Sequence, residues 1–422
     1  MYLARAILSG LIALLAVLPG RGATADMVIR CEGDVTEALQ AAVGAGTAQS
    51  RPIILEAPTE GARCGLRRGL TIPPGMQFLG RNQPVLALTA SGRAFTGNAQ
   101  SGGFRIADLT VDASAASDDR MIYLRGTPSG RIENMRLIRP GGGIILTGGT
   151  HDVAIARLTV IESRHHAVAI TDSYNNSIDD ADLEGQRGFG VVLDGTSHHN
   201  RLNGLRTSHS GLELVGMTSQ TSYNVLTNST ASRTGDNCFS ITGSHNRLAN
   251  LSGSYCVGAG ITFYGSYNTL ENGRFVGNGQ QHWVRPAWSA GVLFAQGFGG
   301  VAQHNTVRNV VVDDDQPQPT QQVGVMALGA YEPWAPRHEI RANFYRYVGL
   351  RLYRATSAGI TGPTPPSGDG PVSDGGVTWV FVNSFDRTTL PDNNRAEHVE
   401  VLRAGRAPRE DRSGAPNNQG TR

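Results

Sequence analysis

The sequence predicts an all-β fold in which short parallel strands coil into a solenoid. A Ser-x-Asn-x-Leu phrase recurs, and its asparagines Asn176, Asn200, Asn224, Asn246 and Asn268 are separated by 24, 24, 22 and 22 residues. Between these markers, short apolar runs alternate with polar turns, and the chain has 54 glycines with only 17% charged residues. A unit this short cannot bury its own apolar face. It must stack on its neighbours, with about 4.8 Å between successive strands.

Residues 1–25 have the pattern of a secretory signal peptide. Arg5 precedes an apolar run from Ala6 to Leu18, and the small-residue pattern Ala23-Thr-Ala25 follows. The run is too short for a membrane span, and no later stretch approaches the roughly 20 apolar residues that a span needs. We therefore expect a secreted or periplasmic protein whose mature chain starts near Asp26.

The coil is expected to begin with a capping helix in residues 26–50. Asp34 is a candidate N-cap with Glu37 three residues later, and apolar residues continue at helical spacing to Val43. Such a helix would cover the open end of the coil, where strand edges are otherwise unpaired. The coil itself is expected over residues 51–335. The recurrent asparagines would form a structural ladder at one of its turns.

The regular pattern fades after Leu328, and two further segments are expected. Residues 336–403 are interpreted as a small C-terminal β extension in which Trp379 packs inside. Residues 404–422 are polar and rich in arginine, which predicts a disordered tail.

Composition limits the function classes. The formal net charge is only +2, which argues against a nucleic-acid surface built on bulk charge. All 37 basic residues are arginine, so lysine bases and lysine Schiff bases are excluded. The four cysteines allow three disulfide connectivities, and we expect pairing within each neighbourhood, Cys31 with Cys64 and Cys238 with Cys256.

The 22 to 24 residue period and the helix cap together resemble the right-handed parallel β-helix of the pectate lyase superfamily, over roughly residues 30–335. A propeller or sandwich would need longer strands and hairpin signals, which the sequence does not show. This resemblance implies a protein that acts on a polysaccharide, and we expect a monomer.

A second resemblance concerns Gly235-Asp-Asn-Cys238 and Cys256-Val-Gly-Ala-Gly260, which look like the paired signatures of the polygalacturonase family. Asp236 occupies the first acidic position of that motif. The second acidic position is Asn237, the family's histidine is Ala259, and the preceding acidic motif reads Ser208-His-Ser-Gly211. The family's inverting hydrolysis by those residues therefore does not carry over.

Aligning the strand before each asparagine phrase predicts which side chains face outward. The middle residues of these strands are expected to point away from the core because side chains alternate along a strand. In chain order they are Ala169, Val192, Glu213, Ser240, Thr262 and Leu293. Glu213 is the only charge among them, and the alternative interpretation is a solvated strand residue.

Polar residues collect in the turns that enter these strands. An insertion before the last strand adds two tryptophans, and we interpret the whole edge as a sugar site because aromatic rings stack on sugars and arginines bind carboxylates. Alternatively, the tryptophans pack over the coil. The expected substrate-binding residues are Arg164, His165, Arg187, Asp194, Asn237, Tyr255, Trp283, Arg285 and Trp288.

These residues predict β-elimination from a uronate-containing polysaccharide as the leading activity. Elimination needs a base and a group that neutralises the substrate carboxylate. The expected catalytic residues are His209, Glu213, Arg233, Asp236 and His282.

The sequence leaves other activities open. Hydrolysis could use two of Asp194, Glu213 and Asp236, and the assumed register places the first two roughly 8 Å apart. C5 epimerisation and noncatalytic glycan binding are further alternatives. No cofactor is required, although the lyase resemblance allows a calcium ion with Asp236, Asn237 and Glu213 as candidate ligands.

Overall fold

The computed structural model describes residues 26–49, 51–116, 120–281, 288–384, 390–415 and 417–421. The predicted signal peptide and three predicted site residues, His282, Trp283 and Arg285, lie outside these ranges. Among the described residues, no helix has both the length and the apolar character needed to cross a membrane.

The chain forms a stack of short strands with one helix near its start. The first elements are β1 (Met27–Arg30), α1 (Thr36–Gln49), β2 (Ile53–Glu56), β3 (Arg63–Leu66), β4 (Leu70–Thr71), β5 (Gln77–Arg81), β6 (Val85–Leu88) and β7 (Phe95–Gly97). The next are β8 (Phe104–Asp112), β9 (Arg120–Arg125), β10 (Pro128–Ile138), β11 (Gly142–Thr147), β12 (His151–Ile161), β13 (Val168–Thr171), β14 (Ser177–Glu184) and β15 (Val191–Asp194). They are followed by β16 (Arg201–Thr207), β17 (Val215–Met217), β18 (Val225–Ser232), β19 (Phe239–Ile241), β20 (Arg247–Ser254), β21 (Ile261–Phe263) and β22 (Thr269–Val276).

The C-terminal third continues the stack and adds a smaller sheet. Its elements are β23 (Ala290–Gly297), β24 (Gly300–Val301), β25 (Thr306–Asp313), β26 (Val323–Leu328), β27 (Glu332–Pro333), β28 (Glu339–Ile340) and β29 (Tyr345–Val348). The remaining strands are β30 (Arg351–Ala355), β31 (Gly359–Ile360), β32 (Val372–Asp374), β33 (Val377–Ser384), β34 (Arg395–Val401) and β35 (Ala407–Arg412).

Two long parallel sheets form the walls of the solenoid. Sheet 1 runs β1-β2-β5-β8-β10-β12-β14-β16-β18-β20-β22-β25-β34, and sheet 2 runs β4-β7-β9-β11-β13-β15-β17-β19-β21-β23-β26-β35. Successive turns of the central coil add one strand to each sheet, and the inward side chains stack in columns. One column in sheet 2 contains Ile144, Val168, Val191, Val215 and Phe239, all fully buried. The predicted all-β parallel solenoid is confirmed.

A ladder of buried asparagines fixes one corner of the coil. Asn200 Oδ1 accepts hydrogen bonds from the backbone N–H of Asn176 at 3.0 Å and from its Nδ2 at 3.1 Å. The same two bonds recur at each step through Asn224, Asn246, Asn268, Asn305, Asn394 and Asn418. Each side chain satisfies backbone groups that would otherwise be buried without partners. The structural role predicted for these asparagines is confirmed.

A stack of rings runs along the outside of this corner. From Asn176 to Asn394, the residue before each ladder asparagine adopts a left-handed conformation, as His199, Tyr223, His245, Tyr267 and His304 do with φ between 54° and 59°. Their rings stack at centroid distances of 4.8 to 5.4 Å. His199, His245 and His304 therefore belong to this turn.

The N-terminal cap and both disulfides are present as predicted. Helix α1 begins at Thr36, whose N–H donates to the Asp34 carboxylate at 2.9 Å. The disulfides join Cys31 to Cys64 and Cys238 to Cys256. The second disulfide ties the turns that lead into β19 and β21, on neighbouring rungs.

The C-terminal region differs from the prediction. A five-stranded sheet, β27-β29-β30-β33-β32, buries Trp379, but the chain then returns to the solenoid, where β34 pairs with β25 and β35 with β26. The disordered tail predicted for residues 404–422 is therefore wrong for its described part. Its polar composition is misleading because asparagine side chains and ion pairs hold the final turn. One such pair joins Arg403 to Asp313 through two contacts of 2.8 and 2.9 Å.

Candidate functional site

The strand register corrects the expected position of Glu213. Val191, Val192 and Leu193 pair with Val215, Gly216 and Met217, so Gly216 is the outward middle residue of its rung. Glu213 lies two residues before β17, in the turn that enters the strand. The apolar-polar-apolar pattern of Leu212–Leu214 fits a strand as well as Val215–Met217 does, and period-two reasoning cannot separate them. The spacing could have done so, since Leu193 and Met217 both lie seven residues before their ladder asparagine.

The same correction separates Asp194 from Glu213. Asp194 ends β15 and accepts a hydrogen bond from the Thr218 hydroxyl at 2.8 Å on the next rung. Glu213 precedes β17 and Thr218 follows it, so the two residues lie at opposite ends of this strand, five residues apart along the chain. The separation of roughly 8 Å that the assumed register gave is therefore wrong, because that register was displaced by three residues.

Glu213 belongs to a column of residues in the turns before sheet 2. Extending the register backward places Arg93, Arg120, Gly142, His166, Phe189, Glu213, Asn237 and Ala259 at equivalent positions on successive rungs. Backbone hydrogen bonds continue through this column, with Gly190 N–H donating to the Glu213 carbonyl at 3.0 Å and Cys238 N–H to the Ala259 carbonyl at 2.9 Å. We call this set the site column.

The Glu213 carboxyl is buried and has a strongly raised pKa. Only 6% of the residue is exposed. Burial raises the pKa of Glu213 to about 7, and the negative charge of Asp236 contributes to this rise. Hydrogen bonds, including those from Asn237 and Ser240, lower the pKa and partly oppose these effects. Asn237 Nδ2 lies 3.4 Å from Glu213 Oε1. A carboxyl with this pKa carries its proton for much of the neutral pH range and can donate it.

Glu213 and Asp236 line one cavity of about 410 Å³ on the outer face of sheet 2. The outward residues Gly216 and Ser240 also line this cavity, and Phe298 lines it from the turn between β23 and β24. Two acidic groups with different environments therefore share one concave site. Pairs of this kind separate the roles of acid and base in many enzymes.

A second cavity of about 510 Å³ continues along the same face. Its lining includes Arg93, Arg120, His165, His166 and Asp194, and it shares Phe189 and Thr218 with the first cavity. Within the described residues, neither Arg93 nor Arg120 forms an ion pair with a carboxylate. Burial and the neighbouring His165 lower the pKa of His166, whose Nδ1 accepts a hydrogen bond from the Phe189 N–H at 3.0 Å.

Two of the expected catalytic residues lie apart from these cavities. His209 is exposed, and its Nδ1 lies 3.2 Å from Glu184. Arg233 is exposed beside Tyr255, with its guanidinium 5.7 Å from the ring centroid. The Tyr255 hydroxyl donates to Asp315 at 2.9 Å, and this hydrogen bond raises the pKa of Tyr255. Neither His209 nor Arg233 lines the cavity that contains Glu213.

The expected substrate-binding residues are divided in the same way. His165, Asp194 and Asn237 lie in or beside the two cavities. Arg187 and Arg164 line a smaller cavity of about 290 Å³, and Arg164 donates from Nη1 and Nη2 to the Ala116 carbonyl at 3.1 Å. Trp288 is half-buried and its ring lies 5.9 Å from that of Tyr264, so it packs over the coil.

Five charged or aromatic residues that line the two cavities were not among the predicted site residues. They are Arg93, Arg120, His166, Phe189 and Phe298. The first four each lie two residues before a residue of the buried column in sheet 2, just as Glu213 lies two residues before Val215. A correct register would therefore have aligned them with Glu213. Phe298 lies in a glycine-rich hairpin after the end of β23. This hairpin is not part of the repeating unit, so the repeat could not predict its position.

The candidate calcium ligands do not fit a cation. Asn237 Oδ1 already accepts hydrogen bonds from Ala259 N–H at 2.9 Å and the Thr262 hydroxyl at 3.0 Å. Across the described residues, no group of three or more His, Cys, Asp and Glu side chains is placed to hold a metal ion.

Comparisons with known proteins agree with the architecture. Residues 104–290 match the family model of NosD, described as a periplasmic copper-binding protein. The A-module of the mannuronan C-5 epimerase AlgE4 of Azotobacter vinelandii is similar in structure, with a TM-score of 0.55 and 14% identity over 94% of this chain and 97% of that one. The chain is a parallel β-helix. These likenesses are consistent with the right-handed form that the sequence resembles.

A phage protein shares the same fold. Tailspike protein 2 of the Escherichia coli O157:H7 bacteriophage CAB120 has a TM-score of 0.51 and 12% identity, over 68% of this chain and 43% of that chain. This chain thus covers less than half of the tailspike. A comparison with curated protein sequences finds no match.

The copper named in the family description does not fit the matched range. Both of its cysteines, Cys238 and Cys256, are joined in a disulfide and cannot act as thiolate ligands. No metal-ligating cluster is present in the described part of that range.

Proposed function

We propose that this protein is an exported enzyme that hydrolyses an acidic polysaccharide, with Glu213 as proton donor and Asp236 as base. The observation that carries the proposal is the buried Glu213 carboxyl, with a pKa of about 7, in one cavity with Asp236. Glycoside hydrolysis requires two carboxyl groups in different protonation states, one on each side of the bond that breaks.

The two residues would act in one displacement. Glu213 donates its proton to the glycosidic oxygen while the bond from that oxygen to the anomeric carbon breaks. A water molecule attacks the anomeric carbon, and Asp236 accepts the proton that the water releases. Proton return from Asp236 to Glu213 through solvent restores the starting state. The sum of these steps adds one water molecule to the glycan and consumes no other reactant.

The neighbouring cavity supports an acidic substrate. Arg93 and Arg120 line it, and arginine binds carboxylates in a bidentate manner. The Arg93 guanidinium lies 3.9 Å from the Tyr123 ring centroid, which stabilises its position by a cation–π interaction. The two disulfides are consistent with export.

The test is an assay of polygalacturonate, polymannuronate and hyaluronan with wild-type protein and with Glu213→Gln and Asp236→Asn. We expect new reducing ends on one polymer, no ultraviolet absorbance from an unsaturated uronate, and at least a 100-fold loss of rate in each variant. Glu271→Gln changes an exposed residue on the outside of sheet 1 and serves as the control. Full activity in Glu213→Gln would refute the proposal.

A second candidate is β-elimination or C5 epimerisation at the 510 Å³ cavity. His165 and Arg120 both line this cavity. His165 can act as the base, and Arg120 can neutralise a uronate carboxylate. The similar A-module carries mannuronan and C-5 epimerisation in its name. Unsaturated products, or epimerised residues detected by proton NMR, that depend on His165 and survive Glu213→Gln would favour this candidate. Glycan binding without any product would leave a noncatalytic binding protein.

A further inference from the structure

We infer that Phe298 is the stacking platform for the sugar ring that lies between it and the Glu213–Asp236 pair. The inference rests on the proposed function and extends it by a substrate-binding residue. Its first basis is exposure, since 76% of Phe298 is accessible, the largest fraction among the exposed large hydrophobic side chains of the described residues. The exposed ring lines a concave cavity, so it offers a flat apolar face to a ligand that enters there.

The second basis is the hairpin that presents the ring. β23 and β24 pair in an antiparallel manner next to the parallel strands of sheet 2, with Gln296 opposite Val301 and Gly297 opposite Gly300. Phe298 lies at the tip with φ of 50°, a left-handed conformation that is unfavourable for a bulky residue. The hairpin thus carries Phe298 at its tip, beside the Glu213–Asp236 cavity that it lines.

The third basis is the support beneath the ring. Phe298 meets the buried Tyr264 edge to face, with centroids 5.1 Å apart and an interplanar angle of 80°. A Cβ at Gly300 would lie 2.5 Å from the Tyr264 carbonyl and 3.2 Å from Thr242 Cγ2, so only glycine lets the hairpin approach this closely. The hairpin therefore packs against the rungs that carry the cavity.

The floor and walls of the cavity match a single sugar ring. Glu213 and Asp236 come from the turns before β17 and β19, whereas Thr218 and Thr242 follow the same strands, so the cavity crosses the full width of sheet 2. Gly216 in the floor has no side chain, and a Cβ there would collide with the Phe189 ring at 2.5 Å. A sugar ring on this floor has the two carboxyl groups at the edge of sheet 2 where the strands begin, and the apolar Phe298 ring at the edge where they end. Sugar rings present apolar C–H faces to aromatic side chains in this way.

The test measures glycan binding separately from turnover. Binding of tetrasaccharides of galacturonate, mannuronate and hyaluronan is measured by calorimetry on Glu213→Gln, which the proposed mechanism makes inactive. We expect Phe298→Ala in this background to weaken the tightest binder about 10-fold, which corresponds to about 1.4 kcal/mol. Phe298→Tyr and Phe298→Trp should restore binding, because a flat ring is required and phenylalanine itself is not. Phe344→Ala is the matched control, since Phe344 is 47% exposed and lies immediately before β29 of the small C-terminal sheet.

The outcomes separate this inference from the proposed function. Equal binding by Phe298→Ala and Phe344→Ala, or no binding of any tetrasaccharide, would overturn the role of Phe298. Binding that depends on Phe298 in a protein that hydrolyses none of the polymers would retain the platform and refute the hydrolytic mechanism. In the active protein, we expect Phe298→Ala to raise KM about 10-fold with a smaller change in kcat.

Discussion

Asn237 directs its Nδ2 toward Glu213 Oε1, 3.4 Å away on the neighbouring rung. The amide cannot turn over, because its Oδ1 accepts hydrogen bonds from the Ala259 N–H and the Thr262 hydroxyl. The contact lowers the pKa of Glu213 and so opposes the effect of burial. Asn237 therefore limits how far the Glu213 pKa rises.

Replacing this amide with a carboxylate should move the Glu213 titration upward. Asn237→Asp removes the donor and adds a negative charge beside Glu213, so we expect its pKa to rise by about one unit or more. A general acid loses activity as pH rises through its pKa, and the alkaline limb of the pH–activity profile should move to higher pH. Asn250→Asp, on the exposed outer surface, should leave the limb in place. An unmoved limb in Asn237→Asp would show that Glu213 does not set it.

The buried Glu213 also predicts a pH-dependent stability difference. Its folded pKa of about 7 exceeds the 4.5 of a solvent-exposed glutamate, so the folded state binds the proton more tightly. Wild-type protein therefore loses stability as pH rises from about 4.5 to about 7, and Glu213→Gln does not. Relative to wild type, the variant should gain on the order of 3 kcal/mol between pH 4 and pH 8. Urea unfolding at both values checks this, and Glu271→Gln should show no such gain.

The asparagine ladder predicts a large cost for one buried amide. Asn224 Oδ1 accepts from the Asn200 N–H and Nδ2, while its own Nδ2 donates to Ser197 and Asn246. Asn224→Ala leaves these buried groups unsatisfied and should lower the free energy of unfolding by about 3 kcal/mol. Asn203→Ala removes a half-buried amide on the outer surface, where water replaces its partners, and should cost less than about 1 kcal/mol. Similar losses in both variants would contradict a special role for the ladder.

The last turn of the solenoid should depend on the Arg403–Asp313 ion pair. The Arg403 guanidinium lowers the pKa of Asp313, so the stabilisation is present above the unfolded pKa of about 4 and disappears as pH falls through the folded value. Arg403→Met should lower the free energy of unfolding by about 1 to 2 kcal/mol at pH 7, and by much less at pH 2. A pH-independent loss would assign the effect to packing of the arginine side chain.

The repeat made most of the fold predictable. The asparagine period, the alternation of apolar residues, the helix cap and the cysteine pairing each follow from local sequence, and the structure agrees with them. The return of residues 390–421 to the coil did not follow, because Asn394 and Asn418 lie beyond a long insertion that interrupts the period. The hydrogen bonds of the asparagine ladder produce no pattern of apolar residues in the sequence. The sequence of the polar final turn therefore resembles that of a disordered tail.

The site was only partly predictable, for a different reason. Asp236 and Glu213 were recognised, but a three-residue register error placed Glu213 in a strand and left Arg120 and His166 unaligned. His209 and Arg233 have suitable chemistry, yet each turns toward a partner outside the cavity, Glu184 and Tyr255. Which way a turn side chain points depends on its neighbours on adjacent rungs, and this information is spread over distant parts of the sequence.

The ladder step from Asn305 to Asn394 spans 89 residues, whereas the steps on its N-terminal side span 22 to 37. Its hydrogen bonds are nevertheless the same, at 2.9 and 3.2 Å. The small sheet that buries Trp379 is thus an insertion between two neighbouring turns of the coil. The coil resumes in register after this insertion, so the strand pairing of sheets 1 and 2 is continuous across it.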